Sequence, residues 1–141
     1  MTPAFNRPAT SRNVVLAHRE PGPIPWIADL GELLEARGLG LCRLETGRDA
    51  VRMLGENDAE AVILSERNDN EALNCWRMIR QVHADLPCVF LARQASQWLL
   101  AEALSLRVTS VLTHPVESEI LTGVIRNIVD RRLGRGRAPS C

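Results

Sequence analysis

"AVILSERND", residues 61–69, decides how this chain is read. Its first four residues are apolar and lack the alternation of a half-buried strand. A strand covered on both faces requires such a run. The run stops at Ser65, and Glu66, Arg67, Asn68, Asp69 and Asn70 follow before a helical pattern begins. Polar residues at the carboxyl end of a buried parallel strand lie where α/β proteins place their ligands and chemistry.

The same succession recurs on both sides. The runs "NVVLA" (13–17), "LCRL" (41–44), "AVIL" (61–64), "CVFLA" (88–92) and "TSVLT" (109–113) each give way to a stretch of helical period. After the first, the prolines of "REPGPIP" bar helix until about Pro25, a residue suited to a first helical turn. "WIADLGELLEARG" then sets Trp26, Ile27, Leu30, Leu33 and Leu34 on one face, with Gly38 to close it. The mixed character of "LCRL" predicts a sheet edge. Thr46 with Asp49 resembles a capping box, opening a short helix that ends near Gly55. The third helix is expected from about Glu71 to His83, with Leu73, Trp76, Ile79 and Val82 inward. Ser96 is placed to cap "QWLLAEALSL" (97–106), and Ser118 to cap "EILTGVIRNIVDRRL" (119–133). The apolar stripe of that last helix is Ile120, Leu121, Val124, Ile125 and Ile128.

Strands of this kind alternating with helices predict an α/β fold with a five-stranded, doubly wound parallel sheet. Each crossover must be right-handed, and a flavodoxin-like strand order of 2-1-3-4-5 follows. One domain over residues 12–133 is expected, with a flexible arm at 1–11 and a Gly/Arg/Pro-rich tail or linker at 134–141.

Composition narrows the function classes. Apolar residues make up 45% and charged residues 24% of the 141, ordinary values for a globular domain. Formal net charge is zero, which gives no electrostatic case for nucleic acid or a membrane surface. All 17 basic residues are arginine, so no mechanism that needs a lysine operates within this chain. Cys42, Cys75, Cys88 and Cys141 show no paired spacing, and the first three lie in apolar runs. Buried free thiols in a reducing cytoplasm are the expectation. No signal peptide and no spanning helix is read, and no cofactor motif is present.

The element order, together with "TSVLTHPVE" (109–117), resembles the receiver domain of two-component response regulators. The resemblance covers roughly residues 12–133. It rests on element order and local landmarks: an apolar fifth strand, a lysine–proline pair and a final helix. Here the proline matches as Pro115 and His114 stands in the lysine's place. The resemblance implies phosphoryl transfer from a partner's histidine to an aspartate ending the third strand. That reaction uses Mg²⁺ held by carboxylates, and cationic and hydroxyl groups that stabilise charge on the transferred group. Every one of those places has changed. The acidic pair after the first strand falls on His18 and Arg19, and the acceptor on Ser65. The hydroxyl residue ending the fourth strand falls on Ala92, and the lysine on His114. Arg19 repels a divalent cation, Ser65 is a weak nucleophile without a base, and Ala92 has nothing to donate. The resemblance therefore implies a degenerate, phosphorylation-independent pseudo-receiver.

Two readings of the neighbouring acids stand side by side. Glu66 or Asp69 is a displaced acceptor, or each pairs with Arg19 or Arg67. One step along a strand reverses side-chain direction, so Glu66 should point away from Ser65. A site of another class is conceivable on His18, Ser65 and His114, with Glu20 or Asp69 added, for a metal such as Zn²⁺ or a small anion. A hydrogen-bonded histidine filling the pocket is the plainer reading, and no nucleophile elbow surrounds Ser65.

The resemblance further implies a signalling or regulatory module acting by protein contact through the fourth helix, fifth strand and fifth helix. Trp98, Glu102, Arg107, Glu119, Arg126 and Asp130 are the candidate contact residues. Trp98 is either such a contact or buried against the fifth strand, whereas Trp26 and Trp76 read as core or rim anchors. A protein partner, an output domain as in transcriptional regulators, or a second copy forming a homodimer fits this surface. The arginines at 126, 131, 132, 135 and 137 read as a solvated helix end, and nucleic-acid binding is not expected. A cytoplasmic protein is expected, either single-domain or an N-terminal module of a larger regulator.

Overall fold

The computed structural model describes residues 12–19 and 23–137, the side chains of 135–137 excepted. The arm at 1–11, Glu20 and Cys141 lie outside them, as do most of the tail and the side chains of Arg135 and Arg137. Five strands and five helices alternate: β1 (Asn13–His18), α1 (Ile27–Glu35), β2 (Gly40–Leu44), α2 (Gly47–Leu54), β3 (Ala61–Ser65), α3 (Asp69–Val82), β4 (Cys88–Ala92), α4 (Gln97–Ser105), β5 (Ser110–Thr113) and α5 (Ser118–Arg137). The sheet is parallel throughout, in the expected order β2-β1-β3-β4-β5.

Side-chain alternation along the strands splits the core into two layers. Val14, Leu16, Ile63, Val89 and Leu91 face α1 and α5, where Trp26, Leu30, Leu34, Leu121 and Ile125 are buried. Val15, Ala17, Val62, Leu64, Cys88, Phe90 and Ala92 face the other way, onto Leu54, Leu73, Trp76, Ile79 and Leu99. β1, β3 and β4 are buried almost end to end, whereas β5, at the sheet edge, is half exposed. Trp76 is the largest side chain fully buried, and its indole N–H donates to the carbonyl of Leu106 at 2.8 Å.

Capping follows the sequence in part. Thr46 accepts from the Asp49 N–H at 3.1 Å, and Ser96 from the Leu99 N–H at 3.1 Å. Gly38 takes a positive φ of 73° just past α1, which glycine allows without a Cβ clash. Asn68 caps α3 and starts it at Asp69, earlier than the apolar pattern alone indicated. Ser118 departs from expectation: it lies inside α5, and its hydroxyl donates to Asp29 of α1 at 2.6 Å. Val82 and Ile120, read as inward, are exposed by 60% and 51%. Each sits at the margin of an apolar stripe wider than the strip its helix buries. α5 also runs on to Arg137, because glycine at 134 and 136 costs an exposed helix only about 1 kcal/mol each.

Candidate functional site

The carboxyl ends of β1 and β3 lie side by side, with His18 in register with Ser65. Alternation puts both on the α1/α5 side of the sheet. The His18 ring packs edge-on to Trp26, with centroids 6.0 Å apart, and at 6.4 Å from the His114 ring. His114 follows β5, and its backbone N–H donates to the carbonyl of Ala92 at 3.0 Å. From there its Nε2 reaches 3.1 Å from Ser65 Oγ, which is fully buried. His18, Ser65 and His114 therefore converge as the sequence placed them. The peptide between His114 and Pro115 is cis, and Pro115 itself is exposed. Ala92 is buried and contributes only its small size.

Arg19 and Glu66, each one residue further along, turn to the opposite side, as the strand period requires. Glu66 is only 2% exposed. One of its oxygens accepts the N–H of Gly47 at the start of α2, and the other lies 3.5 Å from an Arg19 nitrogen. Gly47 is packed so tightly that a Cβ there would lie 2.7 Å from Cys75 Sγ. Burial first, then the carboxylates of Glu66 and Glu71, push the Cys75 thiol up to about 11. All three described cysteines are buried and free, and burial also raises the thiols of Cys42 and Cys88.

Asp69 is engaged by partners that the sequence did not indicate. Its carboxylate accepts the backbone N–H groups of Arg93 at 2.9 Å and Gln94 at 3.1 Å, while Arg93 Nε donates to the Glu66 carbonyl. These partners come from the loop after β4, more than twenty residues away, and no local pattern announces them. Of the acids near Ser65, Glu66 is the one that pairs with Arg19.

This donor set does not fit Mg²⁺. The cation wants hard oxygen ligands in octahedral geometry. Among the described residues the Ser65 side of the sheet end offers two imidazoles and a hydroxyl. The nearest carboxylates, Glu66 and Asp69, are turned away or spent on backbone N–H groups. No group of three or more His, Cys, Asp or Glu side chains among the described residues is arranged to hold a metal.

The foreseen contact residues fall on three faces. Trp98 is 54% exposed and so is not buried against β5. Glu102, on the same flank of α4, bridges to Arg77 of α3 at 3.0 Å. Arg107 is exposed, at a positive φ of 58° in the turn after α4. Glu119 and Arg126 line a groove against Asp29 and Glu32 of α1 and Arg37 in the turn after it, and Asp130 is held by Arg37 at 2.6 Å. These three therefore lie on the α1 side of α5, away from α4. The exposed apolar residues of α4 that sequence reasoning missed are Leu100 and Leu104, joined by Ile120 on α5 and Met78 on α3. In an apolar stretch such as "QWLLAEALSL" no periodicity selects the outer face. Arg132 in the basic end of α5 is tied to Glu60 at 3.2 Å. No helix among the described residues is long and apolar enough to cross a membrane.

No family model matches the chain, and no curated protein does. Solved structures do. A CheY-like response regulator receiver domain from Methanospirillum hungatei JF-1 superposes with a TM-score of 0.72 at 11% identity, over 89% of this chain and 99% of that one. A response regulator from Thermotoga maritima gives 0.69 at 18% identity, over 85% and 98%. An orphan response regulator of H. pylori gives 0.69 at 15% identity, over 86% and 98%. The chain has the receiver-domain fold.

Proposed function

We propose that this receiver-fold chain is a pseudo-receiver, a signalling module that works by protein contact without phosphorylation. The observation that carries the reading is the Ser65–His114 hydrogen bond. A buried, neutral hydroxyl occupies the place of the acceptor, and an imidazole caps it where a lysine would reach a phosphoryl group. Phosphoryl transfer needs an anionic oxygen, a metal and fixed cations around the transferred group. On the Ser65 side this sheet end supplies a hydroxyl and two imidazoles, and the carboxylates of Glu66 and Asp69 are engaged by Gly47, Arg19 and the N–H groups of Arg93 and Gln94. The His18, Ser65 and His114 cluster acts here as a structural plug, and His114 fills space that a ligand would otherwise take.

Output then depends on the outside of the domain. The exposed apolar residues of α4 and the start of α5, with the half-exposed edge of β5, suit a protein partner, a linked output domain or a second copy. Leu104, at 78% exposure, is the side chain whose position the fold least explains. A regulatory role in transcription is one use of such a module, by the kinship of its fold with response regulators.

The test is incubation with acetyl phosphate, or with beryllofluoride, in the presence and absence of Mg²⁺. Neither a covalent mass gain nor a Mg²⁺-dependent change in tryptophan fluorescence is expected. Either signal, abolished in Ser65→Ala or Asp69→Asn, overturns the reading.

A further inference from the structure

Between α2 and α3, on the side of the sheet away from Ser65, lies a cleft of about 440 Å³. Its size is that of a small-molecule pocket. The walls combine two kinds of surface. Val51, Cys75 and Met78 make an apolar floor, and Met78 is 54% exposed. Arg19, Arg48 and Arg52 stand around it, against the carboxylates of Glu66 and Glu71.

These charges are unequally committed. Glu66 is already held by Gly47 and Arg19. Arg52 makes only a 3.8 Å contact with Asp49, and its side chain is 81% exposed. Arg48 is exposed and has no ion pair among the described residues. Two guanidiniums thus remain available beside an apolar floor, with Glu71 the one acid not already engaged. The Cys75 thiol, pushed up by burial, stays neutral and belongs to the floor.

We propose that this cleft binds a small amphipathic anion, a carboxylate, sulfonate or phosphate carried on a short apolar body. The apolar part lies on Val51, Cys75 and Met78, and the anionic group meets Arg48 and Arg52. Guanidinium forks match the planar oxygens of such groups in paired hydrogen bonds. Bound there, a ligand bridges α2 to α3 and rests above Glu66, whose two partners join α2 to the end of β1. It therefore touches α2, α3 and the buried carboxylate that ties α2 to the end of β1. The site does not depend on whether Ser65 can be phosphorylated.

Octanoate is the probe, titrated into the ¹⁵N-labelled protein with n-octanol as its uncharged counterpart. Saturable amide shifts centred on Gly47, Val51, Cys75 and Met78 are expected, with octanol at least about fivefold weaker. The double variant Arg48→Gln/Arg52→Gln changes only exposed side chains and should keep the dispersed spectrum of the parent. It should lose octanoate affinity about fivefold, as expected for solvent-exposed ion pairs, while octanol binding is unchanged. Shifts that do not saturate overturn the proposal. So do shifts centred on Leu100 and Leu104, or equal binding of octanoate and octanol.

Discussion

Ser65 Oγ and His114 Nε2 lie 3.1 Å apart although their strands are not neighbours. β4 runs between β3 and β5, and the pair meets over its last residue, Ala92. The bond thus links three adjacent strands at the end of the sheet where the chain turns into its loops.

Ser65→Ala removes this bond at a fully buried position and should lower stability by about 1 kcal/mol, the usual net worth of a buried hydrogen bond. Urea denaturation reads the change as a lower midpoint with an unaltered slope. No shift in the midpoint would mean that the hydroxyl and imidazole do not bond in solution.

Glu66 and Arg19 should respond unequally to deletion. Glu66→Ala strands the Gly47 N–H and leaves a void under α2, a loss of about 3 kcal/mol. Arg19→Ala leaves Glu66 its Gly47 contact and gives up a 3.5 Å ion pair from a partly exposed side chain. About 1 kcal/mol is expected there. Equal losses in the two variants, measured by chemical denaturation, would contradict this division.

Gly47→Ala places a methyl group 2.7 Å from Cys75 Sγ and 3.3 Å from Glu66 Oε2. Overpacking of this kind costs about 1–3 kcal/mol. Cys75→Ala removes the nearer obstacle, so the double variant should be more stable than the sum of the single losses predicts. Strict additivity would locate the strain elsewhere.

Asp130 titrates below its ordinary value of 3.8, first through its hydrogen bond with Arg37 and then through the charges of Arg37 and Arg126. Its folded-state pKa is depressed. Its contribution is therefore complete above the unfolded value and is lost as pH falls through the folded one. The melting temperatures of the parent and Asp130→Asn should differ by a constant amount from pH 7 down to about pH 5 and converge below about pH 4. A gap that widens in acid would reverse the sign. Because both side chains are accessible, added salt should narrow the gap at every pH.

Much of the fold is legible in the sequence because burial on both faces leaves strands as unbroken apolar runs. "NVVLA", "AVIL" and "CVFLA" became β1, β3 and β4 with little change of boundary. Strand-end residues were legible for the same reason, since a period of two decides which of Ser65 and Glu66 faces which side. Helix faces were harder. α4 is apolar nearly all round, so nothing in its sequence marked Leu104 as exposed or sent Glu102 towards α3. α5 offered two charged flanks of similar make-up, and only contact with α1 separates Asp130 from the α4 side. The roles of Gly47 and Asp69 depend on partners distant in the chain, which no local pattern encodes.

Asp69 gives its carboxylate to two consecutive N–H groups in a loop that belongs to another strand. The connection after β3 and the connection after β4 are in this way stapled by one side chain. Each N–H takes a different oxygen of the carboxylate, so the loop is held at two adjacent points. One side chain thus fixes the spacing of two loops that the sheet itself ties only at their strand ends, and its removal frees both loop N–H groups at once.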